Sequence, residues 1–190
     1  MSFVSRAGQK LEHALATFGM GVAGQTCADL GSNVGGFVDC LLQRGAVKVY
    51  SIDTGYGVLD WKLRNDPRVV VMERTNAIHV TLPEKVSLVT IDVAWTKQRI
   101  ILPAARRLLF DDGDVVTLIK PHYEAPPGLL RNGVLPEDRL DDVVHSVTSE
   151  IHAAGFEVLQ ITRSPIRGSG GNAEMLAWLK PIASIATVRP

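Results

Sequence analysis

A chain of 190 residues suits one domain with a sizeable core, and 46% hydrophobic with 21% charged residues is an ordinary globular balance. The formal net charge is zero, which argues against the overall basicity of many nucleic-acid binders and leaves only a local patch open. No apolar run approaches the roughly 20 residues of a membrane helix, the first ten residues lack the apolar stretch of a signal peptide, and two cysteines are too few for a disulfide framework. Cys27 and Cys40 sit in apolar patterns and read as core residues, and these features together point to the cytoplasm.

Strand and helix signals alternate along the chain. Residues 9–18 place Leu11, Ala14, Leu15 and Phe18 on one helical stripe. Residues 26–31 read as a first strand ending in glycine, and residues 36–44 as a helix stopped by Gly45. Further strands are expected at 47–53, 68–73, 86–93 and 114–119. A helix over 99–110 closes on the turn Asp111-Asp112-Gly113, and the longest helix, 137–154, carries Leu140, Val143, Val144, Val147 and Ile151 on one face. Strands at 156–162 and 174–179 flank a turn-rich stretch without a helix, which favours an antiparallel final pair. The sum is an α/β, Rossmann-like fold: a seven-stranded, mostly parallel sheet with an antiparallel last strand and helices on both faces. The chain reads as a single domain over 1–190, with an N-terminal helical segment (1–20), a core (21–180) and a tail (181–190). Residues 121–136 form the one long irregular stretch, at the end of the fifth strand, where such folds place their sites.

The first strand runs into Asp29-Leu30-Gly31-Ser32-Asn33-Val34-Gly35-Gly36-Phe37, a strand, a glycine-rich turn and a helix start. Asp53 ends the second strand, 24 residues after Asp29, where an acid accepts hydrogen bonds from both hydroxyls of a ribose. A dinucleotide site calls for G-x-G-x-x-G to seat its pyrophosphate. Here an acid leads a D-x-G-x-x-x-G-G pattern. Asp29 facing the cationic amino-acid end of S-adenosylmethionine, which has no phosphates, is the better match. Asp29, Gly31, Ser32, Gly35, Gly36, Phe37 and Asp53 are the candidate cofactor residues. Glycines serving turn geometry alone are the competing reading.

Four polar residues stand out by position: Lys10 on the first helix, Asp92 and Lys120 at the ends of the fourth and fifth strands, and Glu174 opening the last. Asp92 and Lys120 should be neighbours above the sheet edge. Charged groups there need partners, so two structural ion pairs would also account for them. Arg6, Lys10, Arg44, Arg106, Arg107, Arg131, Arg163 and Arg167 could build a basic patch, though a solvated surface explains them more simply. His79, His145 and His152 show no metal-ligand spacing, and no metal is expected. Trp61, Trp95 and Trp178 read as packing residues. His122 and Tyr123 either contact substrate or decorate a loop.

The blocks Ser5-Arg6-Ala7-Gly8-Gln9-Lys10-Leu11, Asp29-Leu30-Gly31, Asp92, Lys120 and Asn172-Ala173-Glu174 resemble those of FtsJ-like RNA 2′-O-ribose methyltransferases, of class I architecture. Residues 40–46, 66–76, 119–121 and 164–168 are similar to blocks of the TlyA branch, also labelled hemolysin A. The resemblance covers residues 4 to about 180. It implies a catalytic tetrad of Lys10, Asp92, Lys120 and Glu174, with S-adenosylmethionine as methyl donor and a ribose 2′-hydroxyl of RNA, ribosomal RNA or a ribosomal subunit, as acceptor. It further implies that Asp92 touches the cofactor and that Asn76 lies near its adenine, although an ordinary post-strand turn would serve as well for Asn76. The branch normally carries an S4-type RNA-binding domain ahead of the Ser5-Arg6 block. An RNA-binding partner in its place is therefore an expectation. After Asp92 the branch continues Val-Ser-Phe, whereas this chain has Val93-Ala94-Trp95, so a hydroxyl is lost and bulk gained beside the catalytic aspartate. The loop Ala125-Pro126-Pro127-Gly128 also lacks the branch's glycine-rich basic stretch. The hemolysin label would suggest a membrane-active protein, but no segment has the strongly basic amphipathic face that requires. A cofactor-binding module without methyltransferase activity and a methyltransferase acting on a different acceptor are the remaining alternatives.

Overall fold

Among the described residues, seven strands form one sheet in the order β3-β2-β1-β4-β5-β7-β6. The computed structural model describes residues 2–183, so residues 184–190 of the expected tail lie outside the described residues. The strands are β1 (Thr26–Leu30), β2 (Lys48–Ile52), β3 (Val69–Met72), β4 (Val86–Ile91), β5 (Leu109–Ile119), β6 (Phe156–Arg163) and β7 (Met175–Pro181). β1 pairs parallel with β2 and β4, as do β2 with β3 and β4 with β5, while β7 runs antiparallel to both β5 and β6. The chain order reverses between β1 and β4. In open α/β sheets that crevice, outside the carboxyl ends of the strands, receives the ligand.

Alternation along the strands supplies two cores. Cys27, Val49, Leu88, Val116 and Leu176 face one side, where α1 (Ala7–Phe18), α2 (Gly36–Gln43) and Leu63 of the short α3 (Trp61–Arg64) cover them. Ala28, Leu30, Ile52, Val89 and Val115 face the other, under α4 (Gln98–Leu108) and α6 (Leu140–Ala153). The stripe of Leu11, Ala14, Leu15 and Phe18 is buried, and α1 stops at Gly19, whose φ of 67° is left-handed. In α6 the predicted Leu140, Val143, Val147 and Ile151 are buried, while Val144 is only partly so. Both cysteines are buried and free.

Three local expectations change. Asp111-Asp112-Gly113 is not a turn. β5 begins at Leu109, which pairs with Val86 ahead of a register shift at Val86/Leu88, and these residues continue the strand. Residues 61–64, unassigned from sequence, form α3, capped by the Asp60 carboxylate accepting the Lys62 N–H. The stretch 121–136 is largely ordered by local hydrogen bonds: α5 (Pro121–Glu124) follows Lys120, a 3₁₀ turn spans Pro127–Leu129, and Arg131 bridges Val134.

Candidate active site

The turn leaving β1 is fixed by backbone bonds. Gly31 and Ser32 both donate N–H to the Ile52 carbonyl, and the Ser32 hydroxyl pairs with that of Ser51 at 2.8 Å. Gly31 has φ of 88°, and a Cβ there would sit 2.6 Å from the Asp92 carbonyl oxygen, so only glycine lets the ends of β1 and β4 approach so closely. Gly36 plays a similar part against α1, since its Cβ would lie 2.8 Å from the Gly8 backbone nitrogen.

Two acids organise this half of the site. Asp53 accepts N–H bonds from Asn33 at 2.8 Å and Gly55 at 2.7 Å, one on each carboxylate oxygen. Each oxygen keeps acceptor capacity to spare. Asp29 is buried at 1% exposure. Its Oδ1 accepts the Thr90 hydroxyl at 2.6 Å, and its Oδ2 is buried with no partner. Burial pushes its carboxyl up to about 8; the Thr90 bond opposes the rise, and Asp92 and Asp53 add to it. A buried acid with a bare oxygen suits a cationic group, whose approach favours its carboxylate form.

The other half is built from two ion pairs. Lys120 Nζ lies 2.6 Å from Asp92 Oδ1 and also donates to the Val93 carbonyl at 3.1 Å. Lys10 Nζ lies 2.6 Å from Glu174 Oε2, bringing α1 to the start of β7. Nearby, Asn172 accepts the Leu135 N–H and donates to the Gly133 carbonyl, tying the turn before Glu174 to the 131–135 segment.

All four ion-pair residues line a cleft of about 370 Å³, together with Asp29, Gly31, Ser32, Gly36 and Phe37. A second cleft of about 420 Å³, lined by Asp53 and Asn76, shares Gly31, Asn33, Asp92 and Ala94 with the first. The two clefts are lobes of one site at the carboxyl ends of β1, β4 and β5. Of the sequence-predicted residues, only Gly35 lies outside both linings. Its α-carbon faces Leu59 and Leu63 instead. Sequence reading missed Thr54, Gly55 and Thr75, which flank Asp53 and Asn76 and could have been found from that adjacency.

Trp95 is the main correction at the site's rim. It is 81% exposed, with φ of 61°, and its ring lies 4.6 Å from that of Tyr123. Trp61 is exposed too, while Trp178 packs against Phe18 as expected. The candidate basic residues gather only in part: Arg44 pairs with Glu12, Arg106 with Asp111, and Arg163 with Glu137, while Lys10 lies in the first cleft. Arg6 and Arg167 do line the first cleft. Among the described residues no group of three or more His, Cys, Asp or Glu could hold a metal ion, and no helix is long and apolar enough to cross a membrane.

This strand order, with an acid-led glycine turn at its switch point, defines the class I methyltransferase architecture. The N-methyltransferase NodS from Bradyrhizobium japonicum shares the fold at a TM-score of 0.64 and 14% identity, over 94% of this chain and 95% of that one. The chain belongs to the FtsJ-like methyltransferase family, whose profile matches residues 3–181. It is 40% identical over 186 residues to the 16S/23S rRNA (cytidine-2′-O)-methyltransferase TlyA of Mycobacterium tuberculosis, covering 94% of this chain and 69% of that protein. It is also 40% identical over 183 residues to Hemolysin A of Brachyspira hyodysenteriae, covering 93% and 76%. A Streptococcus thermophilus structure bearing a provisional hemolysin name superposes at a TM-score of 0.93 with 40% identity, over 97% of this chain and 69% of that one. The chain spans between 66% and 76% of the length of these and similar curated relatives.

Proposed function

We propose that this chain is an S-adenosylmethionine-dependent RNA methyltransferase that acts in the cytoplasm on ribose 2′-hydroxyls of ribosomal RNA. The carrying observation is that the Lys120–Asp92 and Lys10–Glu174 pairs share one cleft with Asp29, whose buried Oδ2 has no hydrogen-bond partner. The residues present fit the cofactor. Asp29 would hold its ammonium group, Asp53 its ribose hydroxyls, and Asn76 the adenine end. When bound, it supplies an electrophilic methyl group on a sulfonium.

The protein's own work is positioning and charge. A ribose hydroxyl is a poor nucleophile, and holding it in line is the larger part of the task. Lys120 offers an N–H to the oxygen on which negative charge develops as the hydroxyl proton is lost to solvent water, and Asp92 fixes the direction of that ammonium. Lys10 and Glu174 form the opposite wall, where they hold the hydroxyl in place. Tyr123 and the exposed Trp95 supply flat faces at the rim for an unpaired base. The similarity to a ribosomal RNA methyltransferase in M. tuberculosis supports the acceptor class.

The test is methyl transfer from labelled adenosylmethionine to ribosomal subunits and to naked ribosomal RNA, with Lys120→Ala alongside. Incorporation at a 2′-oxygen that the variant loses supports the proposal. Cofactor binding without incorporation into either acceptor would favour a binding module instead.

A further inference from the structure

His122 follows Lys120 by two residues and lines the same cleft as Asp92 and Glu174. It is 7% exposed, and its Nδ1 is buried with no hydrogen-bond partner. Native folds seldom leave a buried polar atom bare without a functional reason. Burial, with Lys120 beside it, holds the imidazole below the usual histidine range, so the ring is neutral at pH 7. A neutral imidazole carries one donor and one acceptor. Its ring lies 4.1 Å from that of Tyr123, which lies 4.6 Å from the exposed Trp95. The three rings thus run from solvent to the cleft wall beside the Lys120–Asp92 pair, apolar at the outer end and polar at the inner. A planar ligand with a polar edge fits such a series, and an unpaired nucleobase is one.

We propose that His122 is a specificity-determining residue, hydrogen-bonding the polar edge of the acceptor nucleobase as the base enters along Tyr123. This rests on the reading of the chain as an RNA methyltransferase. It adds that the choice of base is made by the residue two positions after Lys120. Phenylalanine at this position would keep a ring and lose both polar atoms. Glutamine would keep a donor and an acceptor.

The experiment is a calorimetric titration of the full chain with AMP, CMP, GMP and UMP, with the His122 imidazole resonances followed by NMR in the wild type and the same titrations run on His122→Phe and His122→Gln. The expected result is that one nucleotide binds best and shifts the His122 signals. Its advantage over the weakest should be on the order of tenfold, as one satisfied polar contact provides. That advantage falls to about twofold or less in His122→Phe and persists, for the same or another base, in His122→Gln. If no nucleotide moves the His122 resonances, or the full preference survives in His122→Phe, the proposal is overturned. The wild-type titration and His122→Gln decide the matter even where His122→Phe does not fold. Because this readout is binding, it stands apart from the methyl-transfer assay that tests the enzyme assignment.

Discussion

Lys10 and Glu174 are 164 residues apart in sequence and 2.6 Å apart in space, with the glutamate side chain 3% exposed. The pair joins the first helix to the last strand, so one contact serves both the cleft and the closure of the chain on itself. Removing the cation strands a buried carboxylate, which is costlier than never having had the pair. Lys10→Ala should lower stability by about 3 kcal/mol, and the double variant Lys10→Met with Glu174→Gln should recover part of it. Urea denaturation of the three proteins measures this. Equal losses in the single and double variants would show that the charge on Glu174 is not what is being stabilised. Methyl transfer should be lost in both.

Lys120 differs because its role is proposed to lie in the reaction. Lys120→Ala should reduce kcat by roughly 10²–10⁴-fold, while adenosylmethionine affinity stays within about twofold of the parent. Single-turnover transfer with calorimetric binding separates the two quantities. A parallel fall in affinity and rate would place Lys120 in cofactor binding instead.

Elements with a repeating apolar pattern were legible in the sequence, and so were residues set at the ends of such elements. The stripe on α1 and the acids at the carboxyl ends of β1, β2 and β4 are examples. What stayed hidden depends on distant pairing. Asp111-Asp112-Gly113 has turn chemistry, yet the register shift at Val86/Leu88 draws it into β5. Tryptophan is usually packed, but Trp95 stands 81% exposed in a left-handed conformation that few side chains adopt. Nor does spacing reveal that Lys10 takes Glu174 as its partner, because that depends on where α1 lies against β7. The bare Nδ1 of His122 is likewise invisible in sequence, since only the fold shows that no neighbour answers it.

Asp29 gives a pH dependence with a definite sign. Its folded value, about 8, lies above the ordinary carboxylate value. Between about pH 4 and pH 8 the folded state therefore holds a proton that the unfolded chain has released, and this group makes stability fall as pH rises across that window. Asp29→Asn removes the penalty and should raise Tm at pH 7.5. Even about 1 kcal/mol would move it by roughly 2–4 °C. The same variant should lose most of the thermal shift produced by adenosylmethionine. A cation facing Asp29 favours the carboxylate, so binding below pH 8 should release a proton, detectable by calorimetry in buffers of different ionisation enthalpy. Proton release that persists in the asparagine variant would exclude Asp29 as its source.

Glu124 offers a second window, set away from the cleft linings. Its Oε1 accepts the Gln98 N–H at the first residue of α4, and its Oε2 is buried without a partner. Burial is the main cause that raises its pKa; the Gln98 bond lowers it, and Glu150, whose own Oε2 lacks a hydrogen bond, raises it further. The folded state again holds the proton longer than the unfolded one. Its contribution is fully present below the ordinary glutamate value and is lost as pH rises through the higher folded value. Glu124→Gln keeps an oxygen for Gln98 and replaces the bare Oε2 with an amide N–H₂ that can donate towards Glu150. It should therefore stabilise the protein at pH 7 by about 1 kcal/mol and flatten the stability profile above the glutamate range. Denaturant midpoints for parent and variant between pH 4 and 8 read this directly. Because Glu124 lines neither lobe of the site, methyl transfer should be unchanged at neutral pH. If the variant were destabilised at pH 7, the carboxylate would have to be anchoring α4 through its charge, at the positive end of the helix dipole, rather than burdening the fold with a desolvated acid.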